Sequence, residues 1–337
     1  MDALVWEAPR EMAMRDRPEP TPGPGEVLID VAYVGICGSE IGGYLGHNAL
    51  RKPPLVMGHE FSGTIIGVGE GVTALSSGQQ VTVNPLLYCG ECRYCKSGLR
   101  QLCPKRSLIG AHRPGAFAER VTVPEQAVVA LPPEVDLRSG SMVEPIAVGV
   151  RLGRLAGKLD GETALVIGAG PIGLLGLQAL RQAGATTVFV SDMDPARLQM
   201  ARDLGADVID PATQNVVDIV RAATGGLGAA VTIDAVGSGR TRTDAVSATR
   251  PAGKVLLSGL HEEASTFPGS DVIRREIEVK GAFSYTPDDF AAAVIAAGNN
   301  SLRLDPWIVE APLAEGGHWF ARLADKPGNV SKVLLVP

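Results

Sequence analysis

The sequence predicts an α/β protein with a β-rich first part and a doubly wound parallel sheet in its second part. Up to about residue 145, short β-prone runs such as "GEVLIDVAYVG" and "QQVTVNP" are bounded by glycine and proline, a pattern typical of a mostly β domain. From about 146 to 284, strand-like and helix-like segments alternate, which is typical of a parallel sheet. We therefore expect two domains, 1–145 and 146–284.

Length and charge narrow the class of protein. A chain of 337 residues with 45% apolar residues fits two packed domains. The net charge is −6 and no run of lysine and arginine stands out, so a nucleic-acid partner is not expected. The N-terminus lacks a basic region followed by an apolar core, and no apolar stretch approaches the roughly 18 residues of a membrane span. We expect a soluble cytoplasmic protein whose partner is a small molecule.

The first part contains a possible mixed metal site. Cys37 ends the apolar run "VLIDVAYVGIC", His59 and Glu60 are adjacent in "MGHEFSG", and Glu144 lies in the apolar stretch "MVEPIAVGV". Three protein ligands leave a fourth position for water or substrate, as in catalytic zinc sites. Spacing alone supports this weakly, because a single cysteine on a strand is more often a core residue.

Four of the five cysteines, Cys89, Cys92, Cys95 and Cys103, fall within fifteen residues in the pattern C-x2-C-x2-C-x7-C. Disulfides need an oxidising compartment, which nothing in the sequence indicates. Four closely spaced thiolates can surround one Zn²⁺ ion in a closed, structural tetrahedron. We predict a structural zinc here; an iron–sulfur cluster and unligated thiols are the alternatives.

A glycine-rich turn follows the predicted buried strand 163–167 and opens a helix that ends near Gly184. In G-x-G-x-x-G the glycines allow a tight turn and close approach of the backbone to a pyrophosphate, and the N–H groups at the start of the helix face that phosphate. The candidate cofactor-binding residues of this turn are Gly168, Gly170, Pro171, Ile172 and Gly173.

An aspartate marks the end of the next predicted strand. Asp192 lies nineteen residues beyond Gly173, where a carboxylate can accept hydrogen bonds from a ribose diol and would repel a 2′-phosphate. We therefore expect NAD rather than NADP. Arg197, in the following helix, is a further candidate near the adenosine ribose.

Together these motifs resemble, in order and over essentially the full chain, the zinc-containing medium-chain dehydrogenases. The resemblance rests on "GICGSE", "GHEFSG", the four-cysteine lobe and "GAGPIG". The segments "VEPIAVGV", "LIGAHRPGAFAERVTVP" and "VKGAFSY" further resemble the polyol branch, which includes sorbitol, butanediol, idonate and sugar-phosphate dehydrogenases. Glu144 falls where that branch has a zinc-site glutamate.

The resemblance implies a GroES-like β-barrel catalytic domain, 1–145, completed by residues 285–337. It implies a Rossmann NAD-binding domain at 146–284. It also implies a homodimer or homotetramer, and "KVLLSGL" and "EIEVKGAFSY" are the candidate edge strands for such an association.

The chemistry implied by the resemblance is hydride transfer from a polyol or related secondary alcohol to NAD, with one catalytic and one structural zinc per chain. Cys37 and His59 are expected as ligands, and Glu60 and Glu144 compete for the third place. The hydroxyl of Ser39 resembles the family group that contacts the reacting oxygen.

Two positions depart from the family pattern. Glu40 replaces the usual aspartate, and we expect it to orient His59 rather than to bind zinc, with Glu40→Asp nearly neutral. Gly42 replaces a relay histidine, so protons are expected to leave through water or through His47.

Two other functions are compatible with the sequence. One is an amino-alcohol or aminocyclitol dehydrogenase of the threonine type. The other is a non-catalytic nucleotide-binding protein on this fold, which the intact set of candidate metal ligands disfavours.

Overall fold

The computed structural model describes all 337 residues. Three consecutive stretches of the chain differ in character: mostly strands, then alternating strands and helices, then a short mixed segment. The first stretch contains β1 (Asp2–Ala8), β2 (Glu11–Asp16), β3 (Glu26–Gly35), α1 (Gly38–Tyr44), β4 (Leu55–Val56), β5 (Glu60–Val68), β6 (Gln80–Val83), β7 (Leu86–Leu87), α2 (Arg93–Lys96), β8 (Ser107–Leu108), β9 (Arg120–Pro124), β10 (Val128–Ala130) and α3 (Leu137–Ser141).

Alternation begins after a long helix and continues to about residue 281. The second stretch contains α4 (Val143–Ala156), β11 (Thr163–Ile167), α5 (Pro171–Gln182), β12 (Thr187–Ser191), α6 (Pro195–Asp203), β13 (Asp207–Ile209), α7 (Val216–Ala223), β14 (Ala229–Asp234), α8 (Gly239–Ala248), β15 (Thr249–Leu257), α9 (Gly269–Arg274) and β16 (Glu278–Gly281). The third contains α10 (Pro287–Gly298), β17 (Ile308–Pro312), α11 (Gly316–Asp325) and β18 (Lys332–Val336).

The chain forms two compact units. The first comprises Met1–Ile146, Thr286–Ser301 and Ile308–Pro337, and the second comprises Ala147–Tyr285 and Leu302–Trp307. The segment Leu302–Trp307 differs from the predicted division, which assigned it to the first domain. Gln178 on α5 holds this segment, because its amide donates to the carbonyl of Arg303 at 2.8 Å and accepts from the N–H of Arg303 at 3.1 Å.

The first unit is built on a seven-stranded sheet in which β3 is the central strand. β3 pairs with β5 and β9 along its length and with β18 near its end, all antiparallel. A three-stranded sheet, β2-β1-β4, and a two-stranded ribbon, β7-β8, complete the unit. Inward-facing side chains such as Ile29, Val34 and Phe61 are fully or almost fully buried, so alternation along the strands fixes which face becomes core.

The second unit contains one six-stranded parallel sheet in the order β13-β12-β11-β14-β15-β16, which confirms the predicted doubly wound class. The strand order reverses between β11 and β14, and ligands bind at such switch points, outside the carboxyl ends of the strands. Of the two candidate edge strands, "EIEVKGAFSY" provides the edge strand β16. The prediction for "KVLLSGL" is wrong, because β15 pairs on both sides.

None of the helices combines the length and the apolar character that a membrane span requires.

Candidate metal centres and nucleotide site

The four clustered cysteines converge in the first unit. Their ligand sulfurs all lie within 4.8 Å of one another, and Cys92–Cys95 and Cys89–Cys103 are separated by 3.5 and 3.6 Å between Sγ atoms. A Zn–S bond of about 2.3 Å in a regular tetrahedron requires sulfurs about 3.8 Å apart, so the spacing fits a four-thiolate zinc. All four thiols are free.

The backbone of the lobe prepares at least one sulfur for a cation. Hydrogen bonds from the backbone at Glu91 and then Cys92 lower the pKa of the Cys89 thiol to about 6. Burial, in contrast, raises the pKa of Cys95 to about 12. A divalent ion would compensate the charge of the buried thiolate, and zinc ligation requires the thiolate form.

A second group brings together Cys37, His59 and Glu60, whose ligand atoms also lie within 4.8 Å of one another. The register of β3 and β5 explains this, because Gly35 is paired with Glu60. Cys37 therefore follows one strand at the point where His59 precedes the other. Thiolate, imidazole and carboxylate are the donor types found in catalytic zinc sites.

Glu40 holds the His59 ring of this group in place, as predicted. Its carboxylate is fully buried and lies 2.7 Å from Nδ1 of His59 through Oε1. It also accepts the N–H groups of Gly58 at 2.8 Å and of Cys37 at 3.0 Å. An acceptor on Nδ1 orients the ring and leaves Nε2 for a metal.

The charges around His59 favour a cation at that position. Burial opposes a charged imidazole, but the negative charges of Glu40 and then Cys37 raise the pKa of His59 well above its ordinary value. Burial likewise opposes ionisation of Glu40, yet its interactions with His59, followed by Arg51, keep the pKa of that carboxyl below its usual value. The same field that favours a proton on the ring favours a divalent ion.

Lys332, on β18, is a member of the site that sequence reasoning missed. Its Nζ lies 2.5 Å from Glu60 Oε2, and both side chains are 2% exposed. Gly35 makes room for this pair, since a Cβ at that position would lie 2.5 Å from the same Glu60 oxygen. The one available signal was a lysine inside the strand-like tail "NVSKVLLVP".

Glu144 lies in the first turn of α4 and is half-buried. It does not belong to the group formed by Cys37, His59 and Glu60. Burial opposes the charge on Lys332, but Glu60 raises the pKa of its amine, with smaller contributions that include Glu144. Glu144 therefore acts electrostatically on the lysine that holds Glu60, and its role as a zinc ligand stays a prediction.

The polar groups beside Cys37 define the open side of the centre. The hydroxyl of Ser39 donates to Cys37 Sγ at 3.5 Å, and Ser39 is exposed. His47 is also exposed, and its backbone N–H is bonded to Gly42. The His47 ring makes no hydrogen bond to Cys37, His59 or Glu60.

The glycine-rich turn has the geometry expected for a nucleotide phosphate. Gly168 adopts a φ of +98°, a conformation that favours glycine. A Cβ on Gly173 would lie 1.7 Å from the Gly168 carbonyl oxygen. Gly170 is the N-cap of α5, Pro171 is its first residue, and Ile172 follows in the first turn.

Asp192 follows β12 beside that turn. Its carboxylate accepts the N–H of Ala169 at 2.7 Å and that of Asp194 at 2.8 Å, which fixes its direction. It lines a cavity of about 320 Å³. The residues that line it with Asp192 include Met193, Arg197, Arg240, Thr241 and His261. The sequence predicts no role for His261.

The chain matches two protein domain families, one in its first half and one in its second. Residues 23–133 match the alcohol dehydrogenase GroES-like domain, and residues 171–298 match the zinc-binding dehydrogenase family. These matches confirm the predicted GroES-like domain and the nucleotide domain of a zinc-containing dehydrogenase.

Individual proteins are similar over most of the chain. The L-galactonate-5-dehydrogenase of Escherichia coli K12 is 36% identical over 293 residues, covering 86% of this chain and 85% of that protein. The sorbitol dehydrogenase of Halalkalibacterium halodurans is 34% identical over 330 residues, covering 96% and 95%. A crystal structure from Sinorhizobium meliloti 1021, described as a zinc-binding dehydrogenase bound to NADP, superposes with a TM-score of 0.90 at 29% identity, covering 100% and 99%. With its two metal-ligand groups and its glycine-rich turn, the chain belongs to the zinc-containing medium-chain dehydrogenases, in the branch of the polyol dehydrogenases.

Proposed function

We propose that this protein oxidises a secondary alcohol of a polyol or sugar acid, with NAD as hydride acceptor. The observation that carries the proposal is the convergence of Cys37, His59 and Glu60 beside the exposed hydroxyl of Ser39. The relatives include proteins named for a sugar acid and for sorbitol, which supports a hydroxyl-rich substrate.

The residues around the Cys37–His59–Glu60 centre have distinct parts in this chemistry. Cys37, His59 and Glu60 would hold zinc; when bound, the ion supplies a Lewis acid for the alcohol oxygen, and the nicotinamide accepts the hydride. Glu40 holds the His59 ring, and Lys332 holds the Glu60 carboxylate. Ser39 Oγ is placed to accept a hydrogen bond from the alcohol, whose proton must then pass to solvent because the serine keeps its own proton. Because Gly42 offers no side chain, that proton leaves through water.

A substrate panel tests the function. NADH formation should be fastest with a polyol or an aldonate such as L-idonate or sorbitol, and slower with ethanol and L-threonine. L-threonine as the best substrate would instead support the amino-alcohol alternative. Absence of turnover on the whole panel by fully zinc-loaded enzyme would refute the proposal.

We predict that NAD is preferred over NADP because of Asp192. Its fixed carboxylate can accept ribose hydroxyls and would repel a 2′-phosphate. Asp192→Ala should raise kcat/KM for NADP relative to NAD by at least tenfold. Asp203→Ala, on the exposed side of the following helix, serves as the control. A wild-type preference for NADP would contradict the role given to Asp192.

We predict two zinc ions per chain, one in each ligand group. Elemental analysis should give two equivalents for the wild type and one for Cys37→Ser. A chelator should remove the Cys37–His59–Glu60 ion first, because that centre has an open side, and turnover should disappear with this first equivalent. Cys92→Ser should instead disorder the lobe locally. One equivalent or fewer in the wild type, unrestored by added zinc, would count against two sites.

We further propose that the active protein is a cytoplasmic homodimer or homotetramer. The support is the exposed edge strand β16, which carries unpaired backbone groups able to pair with a second copy. Sedimentation of a monomer at micromolar concentration would overturn this assembly.

A further inference from the structure

We infer that Arg51 is a positioning residue of the reaction centre, where its guanidinium fixes the hydroxyl of Ser39. The inference rests on the proposed function, in which Ser39 meets the reacting alcohol. Arg51 belongs to the loop between α1 and β4. Its Nη2 donates to Ser39 Oγ at 3.3 Å, and its Nη1 donates to the Ser39 carbonyl at 3.0 Å.

The burial of Arg51 explains why its guanidinium needs these partners. The residue is 3% exposed, and a permanently charged guanidinium is costly to bury without partners. Its Nε donates to the carbonyl of Gly110 at 3.2 Å, so the planar fork joins Ser39 to a separate segment. The negative charge of buried Glu40 balances it electrostatically. Arginine suits this task because its donors have a fixed geometry.

The fold makes room for this side chain. A Cβ on Gly43 of α1 would lie 3.0 Å from Arg51 Cδ, so the glycine lets the arginine pack closely against the helix. Asn48 of the same loop also donates to the Ser39 carbonyl, at 3.4 Å. Two side chains of one loop therefore converge on the residue beside the metal ligand Cys37.

The consequence for Ser39 follows from counting its hydrogen-bonding capacity. A hydroxyl has one proton and two lone pairs. Arg51 occupies one lone pair and can never accept a proton, while the hydroxyl proton faces Cys37 Sγ. One lone pair remains, and it is directed away from both Arg51 and Cys37. Arg51 thus leaves Ser39 Oγ a single free acceptor direction, available to a hydrogen bond from the alcohol hydroxyl.

A purely structural role would make a different prediction. If Arg51 only tied the loop to Gly110, its removal would harm the enzyme whether or not the Ser39 hydroxyl were present. A double-mutant cycle separates the two roles. We expect Arg51→Met to lower kcat about tenfold, the effect of losing one hydrogen bond to a charged group, and to change KM for NAD little.

In a Ser39→Ala background, Arg51→Met should lower kcat less than about threefold, because the shared hydroxyl is already absent. Arg51→Lys should restore part of the rate, since an ammonium reaches Ser39 Oγ but cannot span both carbonyls. Equal losses in both backgrounds would overturn the inference. If Arg51→Met folds poorly, Gly43→Ala, whose Cβ would press on Arg51 Cδ and shift it by a few tenths of an ångström, replaces it in the cycle.

A second readout needs no substrate. With Co²⁺ in place of zinc, the cysteine-to-metal absorption of the Cys37 centre, isolated as the difference from Cys37→Ser, reports the hydrogen bond on that sulfur. Arg51→Met and Ser39→Ala should shift this band, with no further shift in the double variant. An unshifted band in Arg51→Met would refute the positioning role. Wild-type enzyme without turnover would refute the proposed function instead, and the band would still decide on Arg51.

Discussion

Lys332→Met should destabilise the protein by about 3–5 kcal/mol, the usual cost of breaking a buried ion pair by removing one partner. Methionine keeps the length of the stem but leaves the Glu60 carboxylate, 2% exposed, without the ammonium that lies 2.5 Å away. The carbonyl of Ile36 loses its lysine donor as well. Urea titration after a chelator has removed the ion of the Cys37–His59–Glu60 centre measures the change, because zinc bound to Glu60 would itself compensate the carboxylate.

The exposed pair Lys105–Glu91 provides a matched control. Its side chains are 71% and 69% exposed, so Lys105→Met should cost less than about 1 kcal/mol. The double variant Lys332→Met/Glu60→Gln should recover much of the loss, because no unpaired buried charge remains. Equal urea midpoints for Lys332→Met and Lys105→Met would show that the buried pair contributes nothing to stability.

Glu40→Gln should weaken zinc binding at the Cys37–His59–Glu60 centre by about ten- to a hundredfold, the range for lost partners of metal ligands. Both carboxylate oxygens accept N–H groups, one from Cys37 and the other from Gly58 and His59. An amide has only one acceptor oxygen, so its NH₂ group would face a backbone donor in either orientation. Competition with a chelator measures the change in affinity.

Two further carboxylate variants show whether the loss of zinc affinity is specific to the position and length of Glu40. Glu119→Gln alters an exposed carboxylate that accepts one backbone N–H, and zinc binding should be unchanged. Glu40→Asp was expected from the sequence to be nearly neutral. The geometry alters this expectation, since a side chain one methylene shorter cannot reach all three donors without a backbone shift. We now expect an intermediate affinity. Unchanged zinc retention in Glu40→Gln would contradict the orienting role of Glu40.

Local sequence patterns were sufficient for features that depend on neighbouring residues. The four cysteines of the lobe converge because short spacers allow few other arrangements of their sulfurs. The strand, turn and helix around Gly168 and Pro171 follow from hydrophobic pattern and glycine spacing, and the structure has β11 and α5 at the predicted places. The Glu40–His59 contact was also predictable, but from family resemblance rather than from spacing.

Features that join distant segments were decided by the tertiary structure. Lys332 meets Glu60 across 272 positions of sequence, because β18 pairs with β3 beside β5. Arg51 contacts Gly110 and Ser39 through loops that carry no readable pattern. The edge of the parallel sheet likewise depended on strand order, so β15 and β16 could not be distinguished by composition.

The sequence by itself determined the fold class, the ligand types and the nucleotide-binding turn, because each is encoded in residue chemistry over a few tens of positions. Only the tertiary structure decided which charges oppose one another in the interior. Burial removes the screening of water, so a lysine or an arginine that would be unremarkable on the surface becomes a determinant of the centre when strand pairing places it there.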